Sequence, residues 1–429
     1  MSDVSVIKAA LLGAGTVGSG VCQIFEWQKD EMPRKLGVSV ELKKILVRDT
    51  KKKREGVDSS LFTDNWQEIV EDPEIKIVIE VMGGIEPART CILEALRAGK
   101  HVVTANKDLL AEYGRELLDT AAEHGCDLMF EAAVAGGIPI IRPLKQCLAA
   151  NHITEVMGIV NGTTNYILTR MSADHMEFDE ALALATDLGY AEADPTADIE
   201  GYDAARKVAI MASIAFNSRV TFQDVYTEGI TKISAADIAY AAELHMVIKL
   251  LGVARNTENG MEVGVYPMLI PEDHPLASVN DAFNAVFVHG DAVDDAMFLG
   301  RGAGKLPTAS AVMGDVFEIA RDLQAGSTGR ITCTCYKSLR VKPVEERKNR
   351  YFLRVQVEDK PGVLAGIASV FGDNNVSIAQ VIQKSAADGL AELVVITDCV
   401  VERHFRDALR ILTEMSIVRD AASVLRVYA

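Results

Sequence analysis

The sequence lacks a basic surplus and a long apolar run, and we expect no leader segment from its first residues; each of these observations argues against a class of protein. Its 44 lysines and arginines are outnumbered by 61 aspartates and glutamates, which leaves a formal net charge of −17. That charge argues against nucleic acid or an anionic membrane as the main partner. No apolar run approaches the length that spans a bilayer, and the amino terminus has no basic, cleavable leader. We therefore expect a cytoplasmic protein with no membrane or nucleic-acid partner.

The cysteines form no disulfide framework. All 7 are scattered along the chain without a regular spacing. Cys333 and Cys335 are separated by one residue, and such a C-x-C pair could share a metal ion. Without further ligands at a useful spacing, two reduced thiols on one face of a strand are the simpler interpretation. The sequence therefore indicates a reducing compartment.

The amino-terminal third is predicted to bind a dinucleotide. The stretch VIKAALLGAGTVGSGVCQIF reads as an apolar strand, a glycine-rich turn and an amphipathic helix. Gly13 permits the tight turn, Gly15 lets a pyrophosphate approach the backbone, and Gly18 allows the helix to pack closely on the strand. The start of the helix then offers free N–H groups to the phosphates.

The residues after the second strand bear on which dinucleotide is bound. That strand ends near Val47, where an NAD enzyme usually has an acid for the ribose 2′-hydroxyl. Arg48 stands there instead, followed by Asp49 and a run of three lysines, 51–53. Arginine suits a 2′-phosphate and favours NADP. NAD stays possible if the lysines form a solvated turn and Asp49 binds the ribose.

Further alternation of strands and helices predicts a doubly wound parallel sheet. Strands are expected at 75–81 and 101–104, with a helix over 87–98 between them. Ligands bind beyond the carboxyl ends of such strands. Thr104 and Lys107 lie there, so Lys107 is either an exposed lysine at a helix start or directed at the nicotinamide end of the cofactor.

A bend rich in small residues follows. The stretch FEAAVAGGIPIIRPL, residues 130–144, has two adjacent glycines. It is either a tight connection between a strand and a loop, or a cage for a monovalent cation to which Glu131 contributes an oxygen.

Carboxylates then gather around one lysine in DLGYAEADPTADIEGYDAARK, residues 187–207. A helix is predicted to end at Gly189, and a second helix from about residue 199 carries Asp203 and Lys207 four positions apart. This pair is either a surface salt bridge or, because apolar residues follow Lys207, a buried lysine that is held by acids and can exchange protons. The earlier segment NGTTN, 161–165, either caps a helix or binds the charged end of a small substrate.

After a charged stretch at 341–350 the pattern changes to strand, helix, strand, strand, helix and strand. This order predicts a ferredoxin-like fold for the last part of the chain.

Taken together, these segments resemble homoserine dehydrogenase over essentially the whole chain. The matching motifs are the glycine-rich turn 13–18, TANK at 104–107, EAAVAGGIP, NGT at 161–163, the acid-rich segment ending at Lys207, and GRGAGKLPTAS at 300–310. DKPGVL at 359–364, with NNVSI at 374–378, resembles an ACT domain.

The resemblance implies an α/β fold with a Rossmann-like doubly wound parallel sheet, an α+β substrate and dimerisation domain, and a ferredoxin-like ACT domain. The expected boundaries are 1–135 for the cofactor domain, with 305–340 packing back on it, 136–304 for the substrate domain, 341–350 for a linker and 351–429 for the regulatory domain.

The resemblance also implies an activity and its residues. The reaction would be the reversible, NADPH-dependent reduction of L-aspartate 4-semialdehyde to L-homoserine, in threonine, methionine and isoleucine biosynthesis. The implied catalytic residues are Lys207 as proton donor, Lys107 and Asp203, and the implied substrate contacts are Glu192, Asp203, Asp198 and Thr163. The implied cofactor contacts are Gly13, Gly15, Thr16, Val17, Gly18, Arg48, Thr104, Lys107, Gly189, Gly302 and Gly304. A sodium ion would be held by Glu131, Val134, Gly136 and Ile138.

Regulation and assembly are implied in the same way. Threonine would bind the ACT domain at Asp359, Gly362, Val363, Asn375 and Ile378, although such a module can also serve only to dimerise the protein. A homo-oligomer, either a dimer or a tetramer, is expected.

Two other functions stay open at this point. One is another ACT-containing NADP dehydrogenase, acting on a hydroxy acid or prephenate, but these chemistries usually call on a catalytic histidine and none of the 8 histidines lies in a recognisable acid-paired motif. The other is a catalytically silent sensor of NADP and amino acids, against which the intact Asp203 and Lys207 argue.

Overall fold

The computed structural model describes residues 5–385 and 389–428 and contains two compact units. Unit 1 comprises Met1–Val156, Arg206–Val225 and Phe283–Leu339. Unit 2 comprises Met157–Ala205, Tyr226–Ala282 and Arg340–Ala429. No helix of the described residues is both long and apolar enough to cross a membrane.

The first part of the chain alternates strands and helices. In chain order the elements are β1 (Val6–Leu12), α1 (Thr16–Gln28), α2 (Met32–Leu36), β2 (Ser39–Leu46), β3 (Phe62–Thr63), α3 (Gln67–Val70), β4 (Ile75–Glu80), α4 (Ala88–Arg97), β5 (His101–Thr104), α5 (Lys107–Glu123), β6 (Leu128–Met129) and β7 (Ile153–Ile159). The parallel strands β1 to β6 form a sheet in the order β3-β2-β1-β4-β5-β6. This is the strand order of a dinucleotide-binding sheet, and it confirms the predicted Rossmann-like fold.

The sheet forms because its central strands are apolar on both faces. Ile77, Val78 and Ile79 in β4 are completely buried, as are Ala9 to Leu12 in β1. Continuous apolar runs of this kind are typical of parallel strands that are covered by helices on both sides. The predicted strand at 101–104 matches β5 at both ends.

The middle of the chain continues with α6 (Gly162–Ala173), α7 (Phe178–Asp187), α8 (Thr196–Ile199), α9 (Tyr202–Ala215), β8 (Tyr226–Thr227), α10 (Ala235–Glu243), β9 (Met246–Thr257), β10 (Gly260–Pro271), β11 (Phe283–Gly290), β12 (Asp294–Arg301) and α11 (Lys305–Ala325). In unit 1, α11 packs against α1, and Val312, Val316 and Ile319 join the core around the parallel sheet.

One predicted helix is wrong in its bounds. Instead of a single helix from about residue 199, α8 and α9 are separated at Gly201, whose φ is 81°. A left-handed residue ends a helix because its backbone cannot continue the right-handed turn. The helix with Asp203 and Lys207 therefore begins at Tyr202.

The last part of unit 2 is the ACT domain. Its elements are β13 (Lys348–Glu358), α12 (Val363–Asp373), β14 (Ile378–Ser385), β15 (Leu390–Thr397), β16 (Val400–Val401), α13 (Glu402–Glu414) and β17 (Val418–Val427). The strands lie in the order β17-β13-β15-β14 and cover a core that includes Phe371 and Phe405, which confirms the predicted ferredoxin-like order. β17 also pairs in parallel with β10, so the ACT sheet continues into the rest of unit 2.

Candidate active site

The glycine-rich turn has the geometry of a phosphate cradle. Gly13 has a φ of 99°, and a Cβ added to Gly18 would lie 2.1 Å from the Gly13 carbonyl oxygen. α1 begins at Thr16 after Gly15, and no side chain caps its first N–H groups. Among the described residues, no atom lies within 4 Å of a Cβ added at Gly15. The backbone there is therefore open to a pyrophosphate, as the predicted motif requires, and Val17 lies in the same first turn.

A second helix start lies beside this turn. α11 begins after Gly304, again without a side-chain cap. A Cβ added to Gly20 of α1 would lie 2.6 Å from the Lys305 carbonyl oxygen, so the starts of α1 and α11 are neighbours. Two uncapped helix starts provide two sets of N–H donors to an anion.

The loop before α11 is closely packed in unit 1. A Cβ added to Gly302 would lie 1.9 Å from the Asn284 side-chain nitrogen, and one added to Gly136 would lie 2.1 Å from the Gly302 carbonyl oxygen. The predicted cofactor glycine Gly302 therefore lies next to the bend around Gly136, where its backbone leaves no room for a side chain.

The carboxyl ends of β4 and β5 are joined by a residue that the sequence did not single out. Glu80 is completely buried, and its carboxylate accepts hydrogen bonds from the Thr104 hydroxyl at 2.6 Å and from the Met82 amide at 2.7 Å. Burial raises the pKa of Glu80, although these hydrogen bonds oppose the rise. Asn106 caps α5 and donates to the Gly84 carbonyl at 2.6 Å. The Thr104 side chain is thus engaged in fixing the rim of the predicted cofactor site.

Arg48 follows β2 as predicted and is exposed. The Asp49 carboxylate accepts a hydrogen bond from the Lys51 amide at 2.9 Å, which closes a local turn. The Asp49 carbonyl accepts another from Arg54 at 3.1 Å. This turn leaves the Arg48 guanidinium at the surface, at the end of the second strand.

The two predicted catalytic lysines lie on helices that an ion pair connects. Lys107 is the first residue of α5, and Lys207 lies in the part of α9 that belongs to unit 1. Their neighbours Asp108 and Arg206 form an ion pair of 3.0 Å between the two helices. Both lysines are partly buried. Unit 1 therefore brings the two predicted lysines into one region.

In unit 2 one amide connects two of the predicted substrate acids. The Asn161 side-chain NH₂ group donates to Asp198 at 2.7 Å and to Asp203 at 2.9 Å. The Asn161 side-chain oxygen accepts from the Thr164 amide at 2.9 Å and so caps α6. Asp203 is buried to 9% exposure. Asn161 therefore caps a helix, as one interpretation of the NGTTN segment predicted, and binding of a substrate by this segment stays a prediction.

Three more predicted site residues of unit 2, Thr163, Gly189 and Glu192, lie in or near the turn after α7. The Thr163 hydroxyl donates to the Tyr190 carbonyl at 2.8 Å, and the Tyr190 and Tyr166 rings lie 4.7 Å apart. These contacts hold the turn at Gly189, whose φ is 75°. Glu192 follows this turn and is exposed.

The predicted cation bend has positive φ angles of 55° at both Ala135 and Gly136. The Glu131 carboxylate accepts hydrogen bonds from the backbone amides of residues 140, 141 and 142 at 2.6 to 2.8 Å. No cluster of three or more His, Cys, Asp or Glu side chains that would hold a metal occurs in the described part of the chain. Both oxygens of the Glu131 carboxylate are thus engaged by backbone amides, and a cation at this bend would depend on backbone carbonyls such as those predicted at Val134, Gly136 and Ile138.

Asp315 lies beneath this bend. Its carboxylate accepts from the Glu131 amide at 2.8 Å and from Arg142 at 2.6 Å. Burial, with Glu131 nearby, raises the pKa of Asp315 to about 7, and Arg142 opposes the rise.

In the ACT domain the predicted effector loop borders a cavity of about 380 Å³. Asp359, Gly362 and Val363 line it, and Gly362 starts α12 with a φ of 89°. Asn375, with a φ of 57°, follows α12, and Ile378 begins β14.

A buried ion network joins the ACT domain to the rest of unit 2. Arg426 in β17 donates to Glu228 at 2.7 Å and to Glu402 at 2.8 Å, and Arg426 and Glu402 are only 4% and 2% exposed. Two residues after Glu228, the Ile230 amide donates to the Ile199 carbonyl at 2.8 Å, at the end of α8. The network thus reaches the segment that carries Asp198.

The chain is similar to known proteins over its full length. A family model described as homoserine dehydrogenase, NAD binding domain, matches residues 13–131, and one described as homoserine dehydrogenase matches residues 139–317. The homoserine dehydrogenase of Bacillus subtilis is 43% identical over 424 residues, with 98% of each chain covered. The chain belongs to the homoserine dehydrogenase family. An ACT domain model matches residues 351–415.

Solved structures of homoserine dehydrogenases agree with this assignment. The enzyme from Thiobacillus denitrificans has a TM-score of 0.94 and 41% identity, with 99% of each chain covered. A hyperthermophilic archaeal homoserine dehydrogenase in complex with NADPH has a TM-score of 0.63 and 26% identity, and covers 73% of this chain and 97% of its own. The protein is thus a homoserine dehydrogenase, an NAD(P)-dependent oxidoreductase, and membership of this family favours that assignment over a prephenate or hydroxy-acid dehydrogenase.

Proposed function

We propose that the protein reduces L-aspartate 4-semialdehyde to L-homoserine with NADPH, reversibly, and that Lys207 transfers the proton. The supporting observation is the contact of Asn161 with both Asp198 and Asp203. Two carboxylates fixed by one amide form an anionic site that is ordered before substrate arrives, and such a site suits the α-ammonium group of an amino acid. Glu192 and Thr163 complete the substrate contacts in this proposal.

NADPH, when bound, supplies a hydride to the aldehyde carbon. The Lys207 ammonium group then stabilises and protonates the oxygen on which negative charge develops, and Lys107 adds positive charge in the same region of unit 1. A cation placed at this oxygen binds the transition state more strongly than the neutral aldehyde, which lowers the barrier. Asp203, one helical turn before Lys207 in α9, holds the substrate and orients the lysine. In the reverse direction Lys207 must be neutral to accept the proton, so alkaline pH favours oxidation.

Replacing Lys207 tests the proposal. We expect Lys207→Ala to lower kcat for aspartate semialdehyde by at least about a thousandfold, because the proton donor is lost. The Kd for NADPH, followed by fluorescence titration, is expected to stay within about threefold of the wild-type value. Lys29→Ala, an exposed lysine at the end of α1, is the matched control and should keep full activity. A near-normal kcat in Lys207→Ala would disprove the assignment.

The preference for NADP is proposed from Arg48. Its exposed guanidinium follows β2, where a 2′-phosphate would lie, and the Asp49 carboxylate accepts a hydrogen bond within its own turn. The archaeal relative in complex with NADPH supports the same choice. NAD remains the alternative cofactor.

A sodium ion is proposed at the bend formed by Glu131, Val134, Gly136 and Ile138. The oxygens on offer there are mainly backbone carbonyls, which suit a hard monovalent cation. Equal activity in choline chloride and in sodium chloride would argue against this ion.

Regulation by threonine and assembly into a homo-oligomer, a dimer or tetramer, complete the proposal. The cavity at Asp359, Gly362 and Val363 is large enough for a small amino acid. The alternative is an ACT domain that only dimerises.

A further inference from the structure

Two thiols lie on a segment that crosses the end of α9 in unit 1. This strap, residues 331–339, follows α11, and its backbone donates hydrogen bonds from Lys337 to the Asn217 carbonyl and from Leu339 to the Ser218 hydroxyl, each at 2.8 Å. Cys333 and Cys335 lie in it, and both are partly buried. The predicted mechanism uses neither thiol.

The two cysteines line one cavity, together with Lys145 and Arg219. Arg219 donates to the Cys333 sulfur at 3.6 Å, and Cys335 donates to the Ser213 carbonyl at 3.6 Å. Lys145 donates to the carbonyl of Thr332, the residue before Cys333, at 3.4 Å.

These contacts favour a thiolate at Cys333. The neighbouring Cys335 thiol lowers the pKa of Cys333 below the usual range of a thiol, and Arg219 and Lys145 act in the same direction. The pKa of Cys335 is raised by the neighbouring Cys333 and by burial. Buried thiols without such partners behave in the opposite way, and burial raises the pKa of Cys126 to about 11.

A small cavity opens beside the thiols. The centre of a water-sized molecule can occupy about 30 Å³ within it. Apart from Lys145, Arg219 and the cysteines, its wall is mostly apolar and comes from α5, α9 and nearby side chains, including Leu110, Phe130, Ile210, Ile214 and Val220. The cavity leaves room beside the thiols for a small molecule such as hydrogen peroxide.

We propose that Cys333 and Cys335 form a peroxide-reactive dithiol, in which Cys333 attacks and Cys335 resolves. The Cys333 thiolate attacks one peroxide oxygen, the O–O bond breaks, and the leaving hydroxide takes a proton to become water. Cys333 is then a sulfenic acid. The Cys335 sulfur attacks the Cys333 sulfur, the S–O bond breaks, and the second oxygen leaves as water with the Cys335 proton. Overall, two thiols lose two electrons and two protons, and peroxide is reduced to two waters.

The chain offers a direct readout of this reaction. Trypsin cleaves after Arg330 and Lys337 and releases ITCTCYK, which carries both thiols. The full-length protein is treated with a small excess of peroxide, its free thiols are blocked with N-ethylmaleimide, and the peptides are analysed by mass spectrometry. We expect this peptide to lose two hydrogens and escape the label, while the exposed Cys147 and Cys399 stay mostly labelled.

Single variants separate the two roles. Cys335→Ser should stop at the sulfenic acid, which dimedone traps on Cys333, whereas Cys333→Ser should leave Cys335 reduced and labelled. Arg219→Gln should slow the oxidation of Cys333 by about tenfold, because it removes the cation that contacts the sulfur. Cys333→Ser and Cys335→Ser are compared with the wild type by thermal melting, so that a folding defect is distinguished from a loss of reactivity.

The rate of alkylation gives a test that needs no substitution. At about pH 6, iodoacetamide should modify Cys333 at least about ten times faster than Cys147 or Cys399, because the flanking Arg219 and Lys145 keep it ionised. Labelling of both thiols in ITCTCYK after peroxide, or oxidation no faster than at Cys147 and Cys399, would overturn the proposal.

Discussion

At the scale of single residues, the contacts that define the candidate site connect positions far apart in sequence. Asn161 reaches Asp198 and Asp203, 37 and 42 residues later. Glu80 fixes Thr104 in the same way, 24 residues away. The sequence pattern marked the acids and the glycines, because charge density and spacing are local. It could not mark Glu80, because its burial depends on strand order.

The first residue prediction concerns the choice of cofactor. Arg48→Ala should raise the KM for NADPH by about tenfold or more and change the KM for NADH by less than about twofold, because only NADPH carries the 2′-phosphate. Steady-state kinetics with both cofactors measures this. Lys52→Ala, in the following exposed turn, is the control for a general loss of positive charge. An equal rise in KM for NADPH and for NADH would show that Arg48 does not bind the 2′-phosphate.

The second residue prediction concerns pH. The pKa of Asp315 is raised to about 7 by burial and by Glu131, so the folded state keeps a proton that an unfolded carboxyl loses near pH ~3.9. The free energy of unfolding that Asp315 contributes is thus present at low pH and is lost as pH rises from about 4 to about 7. In Asp315→Asn, which cannot ionise, Tm should fall less than in the wild type between about pH 5 and about pH 8.

Melting curves at several pH values check this prediction. Asp119→Asn, an exposed position on α5, provides the control and should follow the wild type. An unchanged dependence of Tm on pH in Asp315→Asn would show that this carboxyl does not titrate in the assigned window.

At the scale of helices and strands, the sequence predicted the elements that local patterns determine. β5 matches its predicted bounds, and the sheets are those of the predicted Rossmann-like and ferredoxin-like folds. The error lies at α8 and α9, where a run of helix-compatible residues hid the break at Gly201. A single glycine is tolerated inside a helix, so its left-handed conformation depends on packing that the pattern does not contain.

The break at Gly201 gives a prediction for the substrate site. Gly201 has a φ of 81°, and a Cβ added to it would lie 3.1 Å from side-chain carbons of Thr227 and Val265. Gly201→Ala should therefore lower the free energy of unfolding by about 1–2 kcal/mol and shift Asp198 relative to Asp203. We expect a KM for aspartate semialdehyde raised about tenfold with an unchanged Kd for NADPH.

Gly326→Ala is a matched control for this variant. Gly326 also has a left-handed φ, 63°, at the end of α11, and no described atom lies within 4 Å of its added Cβ. It should show a similar loss of stability with a normal KM. A rise in KM in both variants would point to general destabilisation instead of a local change in the substrate site.

At the scale of the whole molecule, the ACT domain is continuous with the rest of unit 2, where substrate binding is proposed. β17 pairs with β10, and Arg426 connects Glu402 to Glu228 in a buried network. A ligand that moves the ACT strands therefore acts on a shared sheet and on the segment next to α8. This continuity could not be predicted from the sequence, which placed a linker at 341–350.

The whole-molecule prediction concerns threonine. If threonine binds the cavity at Asp359, it should lower activity and raise Tm by a few degrees at saturating concentration. In Asp359→Asn, the threonine concentration that gives half of each effect should rise about tenfold, and the rate without threonine should stay unchanged. Asp373→Asn, at the other end of α12, is the control. No response of the wild type to threonine, in activity or in Tm, would favour a domain that only dimerises.

The position of Asp203 and Lys207 on one helix has a further consequence for chain length. Four residues of α-helix advance by ~6 Å, and this spacing cannot stretch without breaking backbone hydrogen bonds. If, as proposed, Asp203 binds the ammonium group of the substrate and Lys207 its carbonyl oxygen, this fixed spacing along α9 limits the distance between the two groups. A substrate with one more methylene between them should then be turned over more slowly, and comparing kcat/KM for the two chain lengths measures this.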